Sequence, residues 1–313
     1  MLTVLLATRN RARILYDVLQ SYCALQSPPS GWKLVVVDNG STDLTTSVVA
    51  SFADRLPLHL VSEANPGKNN ALNTGLSIIE GDLTVFTDDD TFPRFDWLVQ
   101  LRQAADCNPN YMMFGGAVLP RWEVQPPSWV EWVNKGPVYT LTDMSIPPGP
   151  IQPESVFGPN MAIRASVFQS GVRFDSSIGP RGANYAMGSE TELLLRLGRE
   201  GMKAWYTPDA VVEHYIREEQ LTKSWILRRG IRYGRGYFRW YSTQRDQSKR
   251  SSAGMCFYLL RKLLAQAVRM VIAFAFFQKE DQFRSQWYLN YCRGQLIEAW
   301  SLLIAGEKLR KTS

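Results

Sequence analysis

Histidine and cysteine are scarce in this chain. Only His59 and His214 occur in 313 residues, and Cys23, Cys107, Cys256 and Cys292 lie far apart. With no CxxC pair and no Cys/His cluster, the sequence argues against a structural zinc site and against a disulfide framework; the cysteines read as reduced thiols. The long uncharged apolar run of a spanning helix is also missing. The 256–277 stretch CFYLLRKLLAQAVRMVIAFAFF is interrupted by Arg261, Lys262 and Arg269, three charges that do not suit a bilayer core. The opening MLTVLLATRNR is too short for a signal segment and its charges follow the apolar part, so it reads as a first buried strand in a cytoplasmic protein. Neither GxGxxG nor the GxxxxGK[ST] phosphate loop is present. No internal repeat or low-complexity tract occurs either.

What is present is a chain rich enough in apolar residues to fold, 45% hydrophobic and 12% aromatic, with charge divided unevenly along it. From Tyr215 onward there are 19 Lys and Arg against 7 Asp and Glu, and before it 16 against 22. An acidic front and a basic tail imply different partners. They set the expected division into a nucleotide-binding and catalytic domain over 1–214 and a basic helical region over 215–313, with the boundary in the zone 215–250.

In the front part, LTVLLAT (2–8), KLVVVDNG (33–40), LHLVSE (58–63) and LTVFTDDD (83–90) alternate with helix-length segments near 14–25, 42–53 and 69–79. This pattern predicts βαβ units and a mostly parallel sheet with helices on both faces. Ligands of such sheets bind beyond the carboxyl ends of the strands. Here those ends are Thr8-Arg9-Asn10, Asp38-Asn39-Gly40, Glu63-Ala64-Asn65 and Asp88-Asp89-Asp90, all polar. The Pro- and Trp-rich 118–160 segment reads as irregular structure with short helices, suited to facing a substrate.

Three adjacent aspartates repel one another unless a cation or water compensates. If 88–90 continues the strand as an extended segment, Asp88 and Asp90 share a face while Asp89 turns away. Two such carboxylates with diphosphate oxygens make a site for Mg²⁺ or Mn²⁺, and His214, near the end of another apolar strand, is either a third ligand or a structural histidine. Asp38 is placed to accept from a base or ribose, or to form an Asx turn; Asp43 is expected to cap the next helix. Lys68, near the start of a helix, suits a diphosphate. Ser189 and Glu192 form a capping-box pattern that puts Glu190 at the first helical position, a candidate general base or a residue that stabilises the helix dipole.

Taken together, these stretches resemble the family 2 glycosyltransferases of GT-A fold, over roughly residues 1–240. ATRNR (7–11) is similar to the family's nucleoside-contacting first strand, implying nucleotide contacts for Thr8, Asn10 and Arg11. VVVDNGSTD (35–43) is similar to the strand with the base-binding aspartate, so Asp38 takes that role. GKNNALNTG (67–75) is similar to the diphosphate-side helix, which brings in Lys68 and Asn73, and DDD to the family's DxD element. GPNMAIRASVF (158–168) and GSETELLLRLGREG (188–201) are similar to the acceptor-side strand and the acidic catalytic helix. Two departures stand out: Leu72 precedes Asn73 where the family usually has Arg, leaving Lys68 as the cation, and Ser189-Glu190 replaces a Glu-Asp pair, with Glu192 as the alternative to Glu190.

The resemblance implies an inverting transfer from a nucleoside-diphosphate sugar to a hydroxyl of a glycan or lipid-linked acceptor, in polysaccharide biosynthesis. Asp88, also a nucleotide contact, and Asp90 would hold Mn²⁺ or Mg²⁺, with Glu190 as base; the overall look is similar to cyanobacterial exopolysaccharide glycosyltransferases. The tail reads either as an amphipathic helix in the interface of an anionic membrane at the inner face of the plasma membrane or as a helix packed on the rest of the protein. Two other classes are consistent with the residues: a non-catalytic scaffold of sugar-nucleotide fold, and a nucleic-acid binder using the Arg/aromatic 223–241 segment, although acidic strand ends would line its cleft.

Overall fold

The computed structural model describes residues 1–180, 182, 185–242 and 252–312. Part of the expected boundary zone, 243–250, lies outside the described residues, as does the side chain of Cys256. Two compact units are formed, one from Met1–Arg121, Tyr139–Arg181 and Ser189–Ile216, the other from Trp122–Val138, Gly182–Gly188 and Arg217–Ser313.

The first unit is built on strands β1 (Leu2–Thr8), β2 (Trp32–Asp38), β3 (Leu58–Ser62), β4 (Leu83–Phe86), β5 (Thr91–Pro93), β6 (Met113–Trp122), β7 (Gly149–Ile151), β8 (Met161–Arg164) and β9 (Ala204–Ile216). They form one sheet in the order β3-β2-β1-β4-β8-β6-β9-β5, with β7 beside β9. β3, β2, β1 and β4 run parallel, and β8 joins β4 in the opposite direction. The sheet is therefore parallel from β3 to β4 and antiparallel where β8 joins it. The Val/Leu runs of β1 and β2 are buried on both faces, as crossover helices require.

The helices are α1 (Ala12–Tyr22), α2 (Thr45–Ala50), α3 (Lys68–Gly75), α4 (Trp97–Cys107), α5 (Lys135–Tyr139), α6 (Ala165–Gln169), α7 (Ser189–Arg199), α8 (Lys223–Ser242), α9 (Ser252–Ala275) and α10 (Lys279–Thr312). One core joins α3, α7 and the sheet, with Leu5, Val37, Leu72, Phe86, Leu193 and Leu197 buried in it. It is this packing that brings α3 and α7 to the same edge of the sheet as the carboxyl ends of β1, β2 and β4.

Asn160, just ahead of β8, ties three parts of the first unit together. Its Oδ1 accepts the Trp97 indole N–H at 2.8 Å, and its Nδ2 donates to the carbonyls of Ala117 and Ala210, both at 2.8 Å. All of this is buried, so each group would be orphaned without its partner.

In the second unit the Arg/aromatic segment is α8, and its side chains are used internally. Arg235 and Arg239 both bond the fully buried Glu298 of α10, at 2.8 and 2.5 Å. Arg229 donates to the Pro137 carbonyl and Arg232 to the Tyr185 hydroxyl. Tyr233 and Tyr237 pack on Tyr291, and Trp287 stacks on the same ring at 5.8 Å. Arg235, Arg239, Tyr233 and Tyr237, which in the sequence suit bases and phosphates, are thus engaged in packing α8 on α10.

Replacing Asn160 with Ala should cost about 3 kcal/mol of stability, because one indole N–H and two carbonyls lose a buried partner. Urea unfolding measures this; a loss below about 1 kcal/mol would mean that the three groups find other partners.

Candidate active site

The site residues all lie in the first unit. β1 and β2 are in register so that Thr8 stands opposite Asp38, and the Asn39 N–H continues the ladder to the Thr8 carbonyl at 2.9 Å. Asn10 has a left-handed φ of 53°, a conformation that asparagine tolerates better than most residues. Its Oδ1 accepts the Thr42 N–H at 2.8 Å and its own N–H donates to Ser41 Oγ. Asp43 accepts from the N–H groups of Thr45 and Ala12, the expected local turn at the start of α2. Asp38 is buried, and its two oxygens share the Ser41 N–H at 3.3 and 3.2 Å. The bond reaches three residues on rather than the two of the Asx turn considered for it, and it leaves acceptor capacity on the carboxylate.

The acidic segment departs from the extended geometry expected for it. After Thr87 the chain turns, and the Thr91 N–H returns to the Asp88 carbonyl at 3.3 Å before β5 begins. The three carboxylates consequently face different partners. Asp88 meets Lys68 Nζ at 2.5 Å. Asp89, far from turning away, accepts the Thr8 hydroxyl at 2.8 Å and lies 3.8 Å from Arg11 Nε. Asp90 faces His214, with 3.6 Å between Oδ1 and Nε2. In the register of β5 and β9, Thr91 stands opposite His214, which is why the histidine reaches the turn.

Lys68 is the centre of the arrangement. Its ammonium contacts Asp88 and, at 2.7 Å, Glu190 Oε1. α3 begins at Lys68 after Gly67, whose φ of 133° only glycine adopts readily. Burial is the largest influence on the ammonium and opposes its charge, but the two carboxylates together hold its pKa well above the usual lysine range. For Asp88, burial again acts first and raises the value, yet Lys68 brings the carboxyl below its ordinary range. Asp89 has no comparable partner. Burial, and then the charge of Asp90, push it up to about 7 against the pull of Arg11 and Thr8.

Glu190 enters from α7, which starts at Ser189, so Glu190 is at the second helical position. The capping box expected there is not formed. The Ser189 hydroxyl is buried against Gly179 and bonds nothing, while Glu192 pairs with Arg196 one turn on, at 3.0 and 3.1 Å. Glu192 thus bonds Arg196, whereas Glu190 bonds Lys68. Gly158 makes the space, since a Cβ there would stand 2.7 Å from the Glu190 carboxyl carbon.

Asn73 is not brought to this site. Its amide forms a two-way bond with the Phe174 main chain, 2.9 Å in each direction, and so belongs to the strap that holds the 174–180 segment on α3. Asn69 adds to the strap by donating to the carbonyls of Asp175 and Ile178. Asn39, which the sequence reading passed over, organises the 63–67 loop by donating to the carbonyls of Glu63 and Asn65 and accepting the Gly67 N–H at 2.7 Å. The Asn-Asn and Asn-Gly dipeptides mark these turns, but nothing in them names the distant partners.

Among the described residues, no three His, Cys, Asp or Glu side chains gather into a group that could hold a metal ion by themselves. The donor pair Asp90 and His214 does suit a divalent cation completed by phosphate oxygens. His214 Nδ1 donates to the Tyr139 carbonyl at 2.7 Å, which leaves Nε2 as the ring atom that faces Asp90. Sites for Mg²⁺ in phosphate chemistry commonly use one or two protein ligands with substrate oxygens. Asp88, the other carboxylate expected to hold the metal, bonds Lys68 Nζ.

The sequence profile described as glycosyl transferase family 2 matches residues 3–169. The chain belongs to that family, and its fold is the GT-A type, a mainly parallel central sheet flanked by helices. It is similar to the glucosyl-dolichyl phosphate glucuronosyltransferase of Haloferax volcanii, 23% identical over 213 residues, covering 64% of this chain and 65% of that protein. It is also similar to the beta-monoglucosyldiacylglycerol synthase of a Nostoc species, 27% identical over 103 residues, covering 32% of this chain and 22% of the relative. In each case the match spans less than two thirds of the relative's own length. Among solved structures, the mannosyltransferase of Pyrobaculum calidifontis in complex with GDP-Man and Mn²⁺ shares the fold with a TM-score of 0.57 at 19% identity, covering 98% of this chain and 79% of that one. Staphylococcus aureus TarS 1–349 does so with a TM-score of 0.56 at 13% identity, covering 94% and 90%.

The raised pKa of Asp89 gives a pH prediction. A carboxyl whose folded pKa is raised binds a proton that the unfolded chain has already lost, so its contribution to stability falls as pH rises from about 4 to about 7. In EDTA, Asp89→Asn should gain stability relative to the wild type across that window and hold the advantage above it. Urea unfolding at several pH values measures this, and a constant difference across the window would show that Asp89 is ionised throughout.

Proposed function

We propose that this glycosyltransferase moves a sugar from a nucleoside-diphosphate donor to a hydroxyl of a glycan or lipid-linked acceptor in polysaccharide biosynthesis, with inversion at the anomeric carbon. The observation that carries the reading is the Lys68 ammonium held between Asp88 and Glu190. One cation thereby links the polar end of β4 to the carboxylate of Glu190 on α7. The names of the Haloferax and Nostoc relatives refer to a dolichyl phosphate and a diacylglycerol, which supports a lipid-linked acceptor.

The nucleoside would lie over the ends of β1 and β2, with Asp38 accepting from the base or ribose and Thr8, Asn10 and Arg11 beside it. Asp90 and His214 would hold Mn²⁺ or Mg²⁺ together with diphosphate oxygens. When bound, the cation neutralises the negative charge of the departing nucleoside diphosphate.

Glu190 takes the proton of the acceptor hydroxyl while that oxygen bonds to the anomeric carbon and the bond from that carbon to the phosphate oxygen breaks. In the structure described above, Lys68 Nζ donates to Glu190 Oε1 at 2.7 Å. An incoming diphosphate offers the ammonium competing oxygens, which loosens its hold on Glu190 when a donor is in place. The same reading assigns the reaction to the cytoplasm, at the inner face of the plasma membrane.

Calorimetric titration of UDP, GDP and dTDP, with Mn²⁺ and with EDTA, tests this. One nucleotide should bind in a metal-dependent way and at least tenfold more weakly to Asp90→Asn. Glu190→Gln should bind it normally while turnover falls by at least about 100-fold. No binding of any nucleotide under either condition would overturn the donor assignment.

A further inference from the structure

Helix α9 is apolar on two sides, and among the described residues only one of them is covered. Leu259 and Ala273 are buried on the side that packs against α10. On the opposite side Leu260, Leu264, Val268, Val271 and Ile272 follow one another at helical spacing, each at least half exposed. A helix that is apolar all round belongs in an apolar environment on every side. A bare stripe of this length on one helix is larger than scattered surface leucines require.

The turn that ends α9 extends the stripe. Gln278 N–H reaches the Ala273 carbonyl and Phe277 N–H the Phe274 carbonyl, the bond pattern of a Schellman turn, whose left-handed position ordinarily holds glycine. Here that position is Phe277, with a φ of 55°. The aromatic ring, carried in a conformation unfavourable for a bulky residue, is 87% exposed, beside Phe276 at 72%. Packing among the described residues does not account for it.

Charge selects the occupant. From Ser252 to Gln278 there is no Asp or Glu, while Arg261, Lys262 and Arg269 lie on the helix and Lys279 follows the turn. A second copy meeting this face through a two-fold axis would set like charges against like. An anionic bilayer meets both features at once, apolar side chains entering the acyl boundary and basic ones reaching the headgroups. Among the described residues no helix is long and apolar enough to cross a membrane, so α9 would lie in the surface plane.

We infer that the exposed stripe of α9, with the Phe276-Phe277 turn, is a docking surface for a bilayer containing anionic lipid. The inference deepens the membrane placement proposed above and names the surface responsible; it does not require that the reaction assignment be right.

Flotation of the full chain with phosphatidylcholine vesicles, with and without phosphatidylglycerol, tests it, and it reads binding without turnover. The wild type should float with the anionic vesicles and do so less in high salt. Leu264→Glu/Val268→Glu and, separately, Phe276→Ser/Phe277→Ser should each lower the partition coefficient at least tenfold, with unchanged unfolding midpoints. Absence of flotation by the wild type, or equal flotation by both variants, would overturn the assignment. So would a dimer in sedimentation equilibrium that the same variants dissolve while no vesicle is bound. Nucleotide titration on the same preparations keeps a failure here distinct from a failure of the donor assignment.

Discussion

The arrangement depends on one ammonium group. Lys68 stands between Asp88, twenty residues on, and Glu190, more than a hundred residues further, at 2.5 and 2.7 Å. Placing three charges where water is largely excluded is costly, and the cost is offset only while all three remain together. Three elements must be correctly placed for that: the start of α3, the turn after β4 and the first turn of α7. The strap from Asn69 and Asn73 to the 174–180 segment, and the glycine at 158 that admits the Glu190 carboxyl, both read as means of holding that geometry.

The tolerance of three adjacent aspartates follows from the same principle. Repulsion is relieved by giving each carboxylate a different environment, an ammonium for Asp88, a hydroxyl and a distant guanidinium for Asp89, an imidazole for Asp90. The middle one is compensated least and takes up a proton most readily. A turn, unlike an extended strand, lets three neighbouring side chains diverge. Before any divalent cation is added, Lys68 and Arg11 already offset part of that charge, and Asp90 and His214 face one another.

Periodicity reveals the scaffold because burial on both faces writes itself into consecutive residues. The Val/Leu runs of β1 and β2 and the polar residues that end them are local patterns, and the parallel half of the sheet follows from them. Features that depend on distant partners are not written in this way. The bond between Asn73 and Phe174 and the three bonds of Asn160 join positions tens of residues apart, and an isolated asparagine carries no trace of them. Ser189 and Glu192 spell a capping box, yet an arginine one turn away is the stronger partner for the glutamate. Likewise the arginines of α8 look available in sequence until Glu298 of α10 is seen to hold two of them.

The shared ammonium is tested most directly by a double-mutant cycle on stability, comparing the wild type, Lys68→Met, Glu190→Gln and the double variant by urea unfolding at neutral pH. The account predicts a coupling of roughly 1–3 kcal/mol between the two positions, because removing either partner leaves the other charge buried beside an unmatched group. Additive effects, with a coupling near zero, would mean that Lys68 and Glu190 do not act on one another in solution, and the link between the donor-side aspartate and the proposed base would be lost.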